Sequence, residues 1–171
     1  METQLLRPKI KTELTAPDWL AEVVALISLV ALILIPILNY NNLPATIPTH
    51  FNAVGVPDGY GGKGTLWLLP VIGFFMYLMM TVVQLFPQIY NYPVEITEEN
   101  APRQYRNAVR LIRTLKTLII TLFTFLSYKT VQTAAGTAAG LGRAFLPVFL
   151  LVTFGTVAFY IAWSLNNRHS S

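Results

Sequence analysis

Four long apolar runs, set apart by clusters of charge or of proline and glycine, limit what this chain can fold into more than any other feature. Trp19 to Asn39 carries one charge, Glu22 near its start, while Thr65 to Phe86 and Phe145 to Leu165 carry none. The remaining run is less clean: Leu115 to Tyr128 is apolar or hydroxylic, then Lys129 and Gln132 interrupt it before a small-residue stretch from Thr133 to Gly142. Crossing a hydrocarbon core takes about 20 residues of helix at about 1.5 Å rise each. The runs therefore predict spans at about 19–39, 65–86, 115–135 and 145–165, the third requiring Lys129 to reach the headgroups along its methylene stem. Apolar residues make up 54% of the 171 and Asp, Glu, Lys and Arg only 12%, against roughly 25% charged in a soluble domain. A water-facing surface cannot be built from that composition. The expected fold is all-α, one polytopic membrane domain over residues 1–171, built as a four-transmembrane-helix bundle with an ordered extracytoplasmic loop and an amphipathic cytoplasmic helix.

The boundaries of these runs agree with that reading. Trp19 opens the first, Trp67 the second, and Trp163 closes the fourth, where amphipathic rings settle at headgroup depth. The first run is longer than a signal-peptide core and no small-x-small site follows it, so it is expected to be retained. Of the twelve Lys and Arg residues, nine fall on one side of the alternating spans: Arg7, Lys9, Lys11, Arg103, Arg106, Arg110, Arg113, Lys116 and Arg168. Lys63, Lys129 and Arg143 fall on the other. The positive-inside rule then places both termini in the cytoplasm and the loops 40–64 and about 130–144 outside. The net charge of +4 follows from this topology, and no interleaved aromatic and basic motif points to nucleic acid. Absence of cysteine removes disulfides, thiolate metal sites and thiol nucleophiles.

Between the second and third runs, Thr97 or Asn100 can cap a helix whose first turn tolerates Pro102, Asn100 being the better placed. From there Arg103, Arg106, Arg110 and Arg113 recur at intervals of three and four and share one stripe. The expectation is a surface helix whose four arginines contact anionic lipid, with docking of a partner protein as the alternative.

The outer loop carries the most informative string, from Leu43 to Lys63. Its prolines and glycines exclude a regular helix, yet their density suits an ordered, turn-rich structure. His50, Asp58 and Lys63 either gather at the outer mouth to hold a carboxylate, a peptide backbone or a cation, or His50 and Asp58 satisfy loop amides while Phe51 anchors the loop on the bundle. With one His and one acid the loop falls short of a zinc site, and no cofactor is expected. The hydroxyls within the runs, Ser28, Thr81, Thr121, Thr124, Ser127, Thr153 and Thr156, are expected to bond between helices or to backbone carbonyls. No acid, base or nucleophile set is apparent within the spans, so an enzyme is not expected. Gly136 and Gly140 fit either close helix contact or a tight outer loop.

The string Pro44-x-x-Ile47-Pro48-x-His50-Phe51-Asn52-x-x-Gly55-x-Pro57-Asp58, with Lys63 five residues on, resembles the signature of the bacterial and archaeal membrane family called domain of unknown function 1648. Asn91-Tyr92-Pro93-Val94, Ile96-Thr97-Glu98-Glu99-Asn100 and Arg103-Gln104-Tyr105 continue the resemblance. Similar domains open the longer Sdp-type immunity proteins, which protect a cell from a secreted toxic peptide and signal its presence, whereas this chain stops after four runs. The resemblance implies a sensor or immunity-type interaction protein whose loop 43–63 recognises a peptide or a partner membrane protein, with His50, Phe51, Asn52, Asp58 and Lys63 as ligand-binding residues. The alternative is a small membrane carrier or ligand-binding protein.

Overall fold

The computed structural model describes residues 7–167, and Arg168 of the basic set lies outside them. Helix α1 (Ala16–Asn39) leads through a short 3-10 turn into a two-stranded antiparallel hairpin, β1 (Thr46–Phe51) and β2 (Pro57–Gly62). A second 3-10 turn, Lys63–Trp67, feeds α2 (Leu68–Val83). A linker then reaches α3 (Ala101–Ala134), and α4 (Phe145–Asn166) is the last element among the described residues. Among the described residues, three segments, Ala16–Asn42, Lys63–Val83 and Phe145–Asn166, are long and apolar enough to cross a membrane, which suggests a multi-pass membrane protein.

That is one fewer than the four expected. The run at 115–135 is the upper part of α3, a continuous 34-residue helix about 50 Å long at 1.5 Å per residue, and α3 does not meet the same standard of apolarity. The expected surface helix and the third span are one element. Its position explains its composition: α3 packs against α1, α2, α4 and β1, so its polar residues meet other helices rather than the surroundings. A helix enclosed in this way has no need of an apolar face all round.

The α1/α3 contact forms the spine. Both helices run from the basic end of the bundle toward the hairpin end, and α2 and α4 run back. On α1 the buried residues are Asp18, Ala25, Leu29, Leu32 and Pro36, the spacing of one helical stripe. Facing them, Thr117 Oγ1 donates to the Ala21 carbonyl at 3.1 Å and Thr124 Oγ1 to the Ser28 carbonyl at 2.8 Å. Ser28 and Thr121 hydroxyls meet at 3.0 Å. Fully enclosed Ala25 lets the backbones approach closely enough for these bonds, the use to which small residues are put between membrane helices.

Asn100 precedes the first residue of α3, as the capping pattern predicts, but it acts backwards. Its Oδ1 accepts from Thr97 N at 3.0 Å and its Nδ2 donates to the Glu95 carbonyl at 2.9 Å, fixing the linker instead of the helix's own amides. Tyr90, Tyr92 and buried Tyr105 stack in series beneath it. Arg7 lies over the Tyr92 ring and donates to the Tyr90 carbonyl at 2.7 Å. At the same end of α3, Gln104 receives the Ser164 hydroxyl at 2.6 Å and Asn107 donates to the Tyr160 carbonyl at 3.0 Å, holding α4 against α3.

Candidate functional site

At the hairpin end, β1 is rooted by Ile47, which packs with Leu43, Leu66 and Val131. The expected anchor, Phe51, is only half-buried. Regular alternation would put Phe51 on the same face as Ile47, but the pairing with β2 shifts register between Pro48 and His50 and again between His50 and Phe51, which breaks that alternation. Five residues, 52–56, close the hairpin. Asn52 Oδ1 accepts the amides of Val54 and Val56 at 3.1 and 3.0 Å. Its side-chain oxygen is thereby engaged in making the turn.

The hairpin tip is held from below by the loop between α3 and α4. Leu141 N donates to the Gly55 carbonyl at 2.8 Å. Gly55 has φ +78°, and a Cβ there would lie 2.7 Å from the Gly142 oxygen; a Cβ on Gly140, at φ +141°, would collide with the Gly55 oxygen. Only glycine allows this backbone-to-backbone clasp. Gly136 and Gly140 therefore shape the loop between α3 and α4 rather than a helix-to-helix contact, and Gly136 at φ +74° follows the end of α3.

Beneath the clasped hairpin lies a cavity of about 560 Å³. The hairpin contributes residues from Ile47 to Ala53, α2 and its approach Leu66 and Leu69, α3 Leu126, Ser127 and Thr130, and α4 with its approach Leu141, Phe145 and Leu146. The lining is mostly apolar with few polar groups, and its volume falls in the range of small-ligand sites. Ser127 is 1% exposed and its Oγ has no hydrogen-bond partner. This departs from the expected packing role, and its neighbours show the difference: Thr117, Thr124 and Thr133 on the same helix each donate to the carbonyl four residues back, at 3.0, 2.8 and 2.8 Å.

Of the five residues singled out in the sequence, the structure brings His50, Phe51 and Asn52 to the cavity. His50 Nδ1 and Asp58 Oδ1 meet at 2.5 Å across the two strands, with side chains 70% and 43% exposed, so Asp58 positions the ring at the rim. An exposed pair of this kind adds little to stability. Lys63 is separated from them. Its ammonium donates to the Tyr40 and Leu43 carbonyls at 3.1 and 3.4 Å and lies over the Tyr40 ring, so it closes the end of α1 and the three do not form one polar cluster.

A second polar constellation lies at the opposite end. Arg113 donates to Asp18 at 2.8 Å and to Glu22 at 2.9 Å, Lys116 donates to Glu22 at 2.6 Å and to Thr81 at 3.1 Å, and Arg110 reaches Asp18 at 3.2 Å and Thr15 at 2.9 Å. Lys116 is wholly buried and Arg113 7% exposed. The four-arginine stripe is thus not a lipid-contacting face: Arg110 and Arg113 turn toward α1, Arg103 reaches Asn167 at 3.4 Å, and Arg106 is left exposed. The expectation that the spans hold no set of ionisable groups is corrected too. Asp18 and Glu22, one turn apart, could have been matched in the sequence to Arg110, Arg113 and Lys116, which recur at the same pitch.

Comparison with known proteins bears on the hairpin half. Residues 27–81 match the family described as Domain of unknown function (DUF1648). The match runs from within α1 through the hairpin to the last turn of α2. An uncharacterised protein of Archaeoglobus fulgidus is 38% identical over 76 residues, 40% of this chain and 42% of that protein, so the similarity spans less than half of either. No solved structure matches the chain. The DUF1648 segment supplies the roof and one wall of the cavity, while Leu126, Ser127 and Phe145 lie beyond it.

Proposed function

We propose that the chain is a membrane recognition protein of the sensor or immunity type, which receives a ligand at its outer face in the cavity beneath the β1/β2 hairpin. On this reading α3 is the fourth crossing, its charged lower turns standing in the cytoplasm with both chain ends, in the cell membrane of a prokaryote. The supporting observation is the cavity itself: an apolar chamber under a clasped hairpin, with an imidazole held at its rim and an unpartnered hydroxyl in its wall. The resemblance to the opening domains of Sdp-type immunity proteins gives the reading its immunity form. The basic set at the cytoplasmic end serves cohesion and orientation, with anionic lipid facing Arg106. Nothing in the site supplies a nucleophile with an adjacent base, so binding rather than turnover is proposed.

The chain contains no cysteine, so Ala53→Cys gives a single labelling position at the cavity rim. A fluorophore there is expected to change its emission when cells or oriented vesicles meet a secreted membrane-active peptide that the protein answers. The change should be lost when Leu126→Trp fills the chamber. Cells with the intact protein should survive that peptide better than cells with the variant. Equal killing at equal membrane abundance would remove the immunity form of the reading, and unchanged emission throughout would remove recognition at this site.

A further inference from the structure

We propose that the cavity beneath the hairpin holds one hydrocarbon chain of an outer-leaflet bilayer lipid, with Ser127 Oγ donating to the ester carbonyl where the chain meets its headgroup. This rests on the reading of the cavity as the binding site and names its resident occupant, the chain that the apolar side chains of an arriving peptide would displace. Depth comes first. Leu66 and Leu69 belong to the segment Lys63–Val83, and Phe145 and Leu146 to Phe145–Asn166, both able to cross a membrane. The chamber therefore straddles the level of Trp67, with Leu66 before it and Leu69 after it in its wall, and the most abundant apolar solute at the top of the hydrocarbon is the lipid itself.

The polar inventory then selects among apolar occupants. A peptide would bring one N–H and one carbonyl per residue, each costly to bury unpaired. The wall offers one buried unpartnered group, Ser127 Oγ. The nearest strand edge is a poor substitute, because Pro48 in β1 has no N–H to give an added strand. An acyl chain brings a long apolar body and a single carbonyl at its end, the same inventory as the chamber. The rim agrees: His50 stands 70% exposed above the opening, where a lipid headgroup would lie.

The test uses the full chain in phosphatidylcholine vesicles containing either a phosphatidylcholine with a diazirine a few carbons from the ester of one acyl chain or the same diazirine chain as a free fatty acid. Light-induced adducts are mapped by mass spectrometry. The phospholipid probe is expected to concentrate its adducts on Leu126, Ser127 and Phe145 relative to Leu151 and Phe154, which are exposed on α4. Leu126→Trp should bring cavity labelling down to the level of those two. Ser127→Ala, which leaves the chamber open, should weaken labelling about fivefold, the effect of one neutral hydrogen bond. Labelling by the free acid alone would overturn the bilayer source, and even labelling of cavity and outer face would overturn occupancy by lipid. Neither result touches the fluorescence response at Ala53→Cys, so the wider reading of the site stands or falls separately.

Discussion

Lys116 shows most directly how single residues are held. Its ammonium, wholly buried, finds a carboxylate, a hydroxyl and the face of Tyr77. Removing one partner of a buried pair leaves the other charged and unmatched. Lys116→Met is therefore expected to cost about 3 kcal/mol or more, with part recovered in the double variant Lys116→Met/Glu22→Gln, as read by denaturant unfolding in mild detergent. Exposed Arg106→Gln, by contrast, should change stability by no more than about 0.5 kcal/mol. Tyr90 gives a pH dependence. Burial pushes its hydroxyl up to about 12 and that of Tyr92 higher still, so the native linker prefers the protonated phenols. Their contribution is complete below the ordinary tyrosine value of about 10 and is lost as pH rises through about 12. Tyrosinate absorbance should thus lag that of free tyrosine and appear together with loss of structure; titration at the ordinary value would contradict the buried linker.

Among the elements, the hairpin depends on the clasp between Gly55 and the loop 140–142. Gly140→Ala places a methyl group against the Gly55 carbonyl in a backbone conformation that L residues resist, a strain of roughly 1–3 kcal/mol. We expect the hairpin tip to open about tenfold more often and to be cut faster by protease added from outside, with the helices intact by circular dichroism. This element was only half legible in the sequence. Pro44, Pro48, Pro57 and the glycines marked an ordered, non-helical segment, but Pro57 to Gly62 has none of the alternation of apolar side chains that announces a strand. The arginine stripe was legible as a stripe and misleading as a surface, because periodicity says which residues share a face and not what that face meets. Asp18, two residues after α1 begins, was the missing counterpart. Ser127 gave no signal at all: its isolation exists only where four separate segments leave a gap.

For the whole molecule, length and apolarity located the helices well, and three of the four runs qualify as crossings by themselves. Placing α3 among them depends on how the others enclose it. Orientation is testable with reporter fusions: Lys11 and Gln104 should report cytoplasm, Asp58 and Gly140 the outside, and an external Gln104 would invert the proposed arrangement. The parallel pairing of α1 with α3 has a consequence for how the protein is made. Arg113 and Lys116 reach the translocation machinery roughly ninety residues after Asp18 and Glu22, the counter-charges that neutralise them. On the proposed arrangement, α3 is too polar to prefer lipid over water until α1 is in place beside it, so its entry into the membrane would follow an order in which the first helix serves as the template for the third. A chain with Asp18→Asn and Glu22→Gln should accordingly leave α3 stranded outside the bilayer during synthesis, an insertion defect that stabilising the finished fold could not repair.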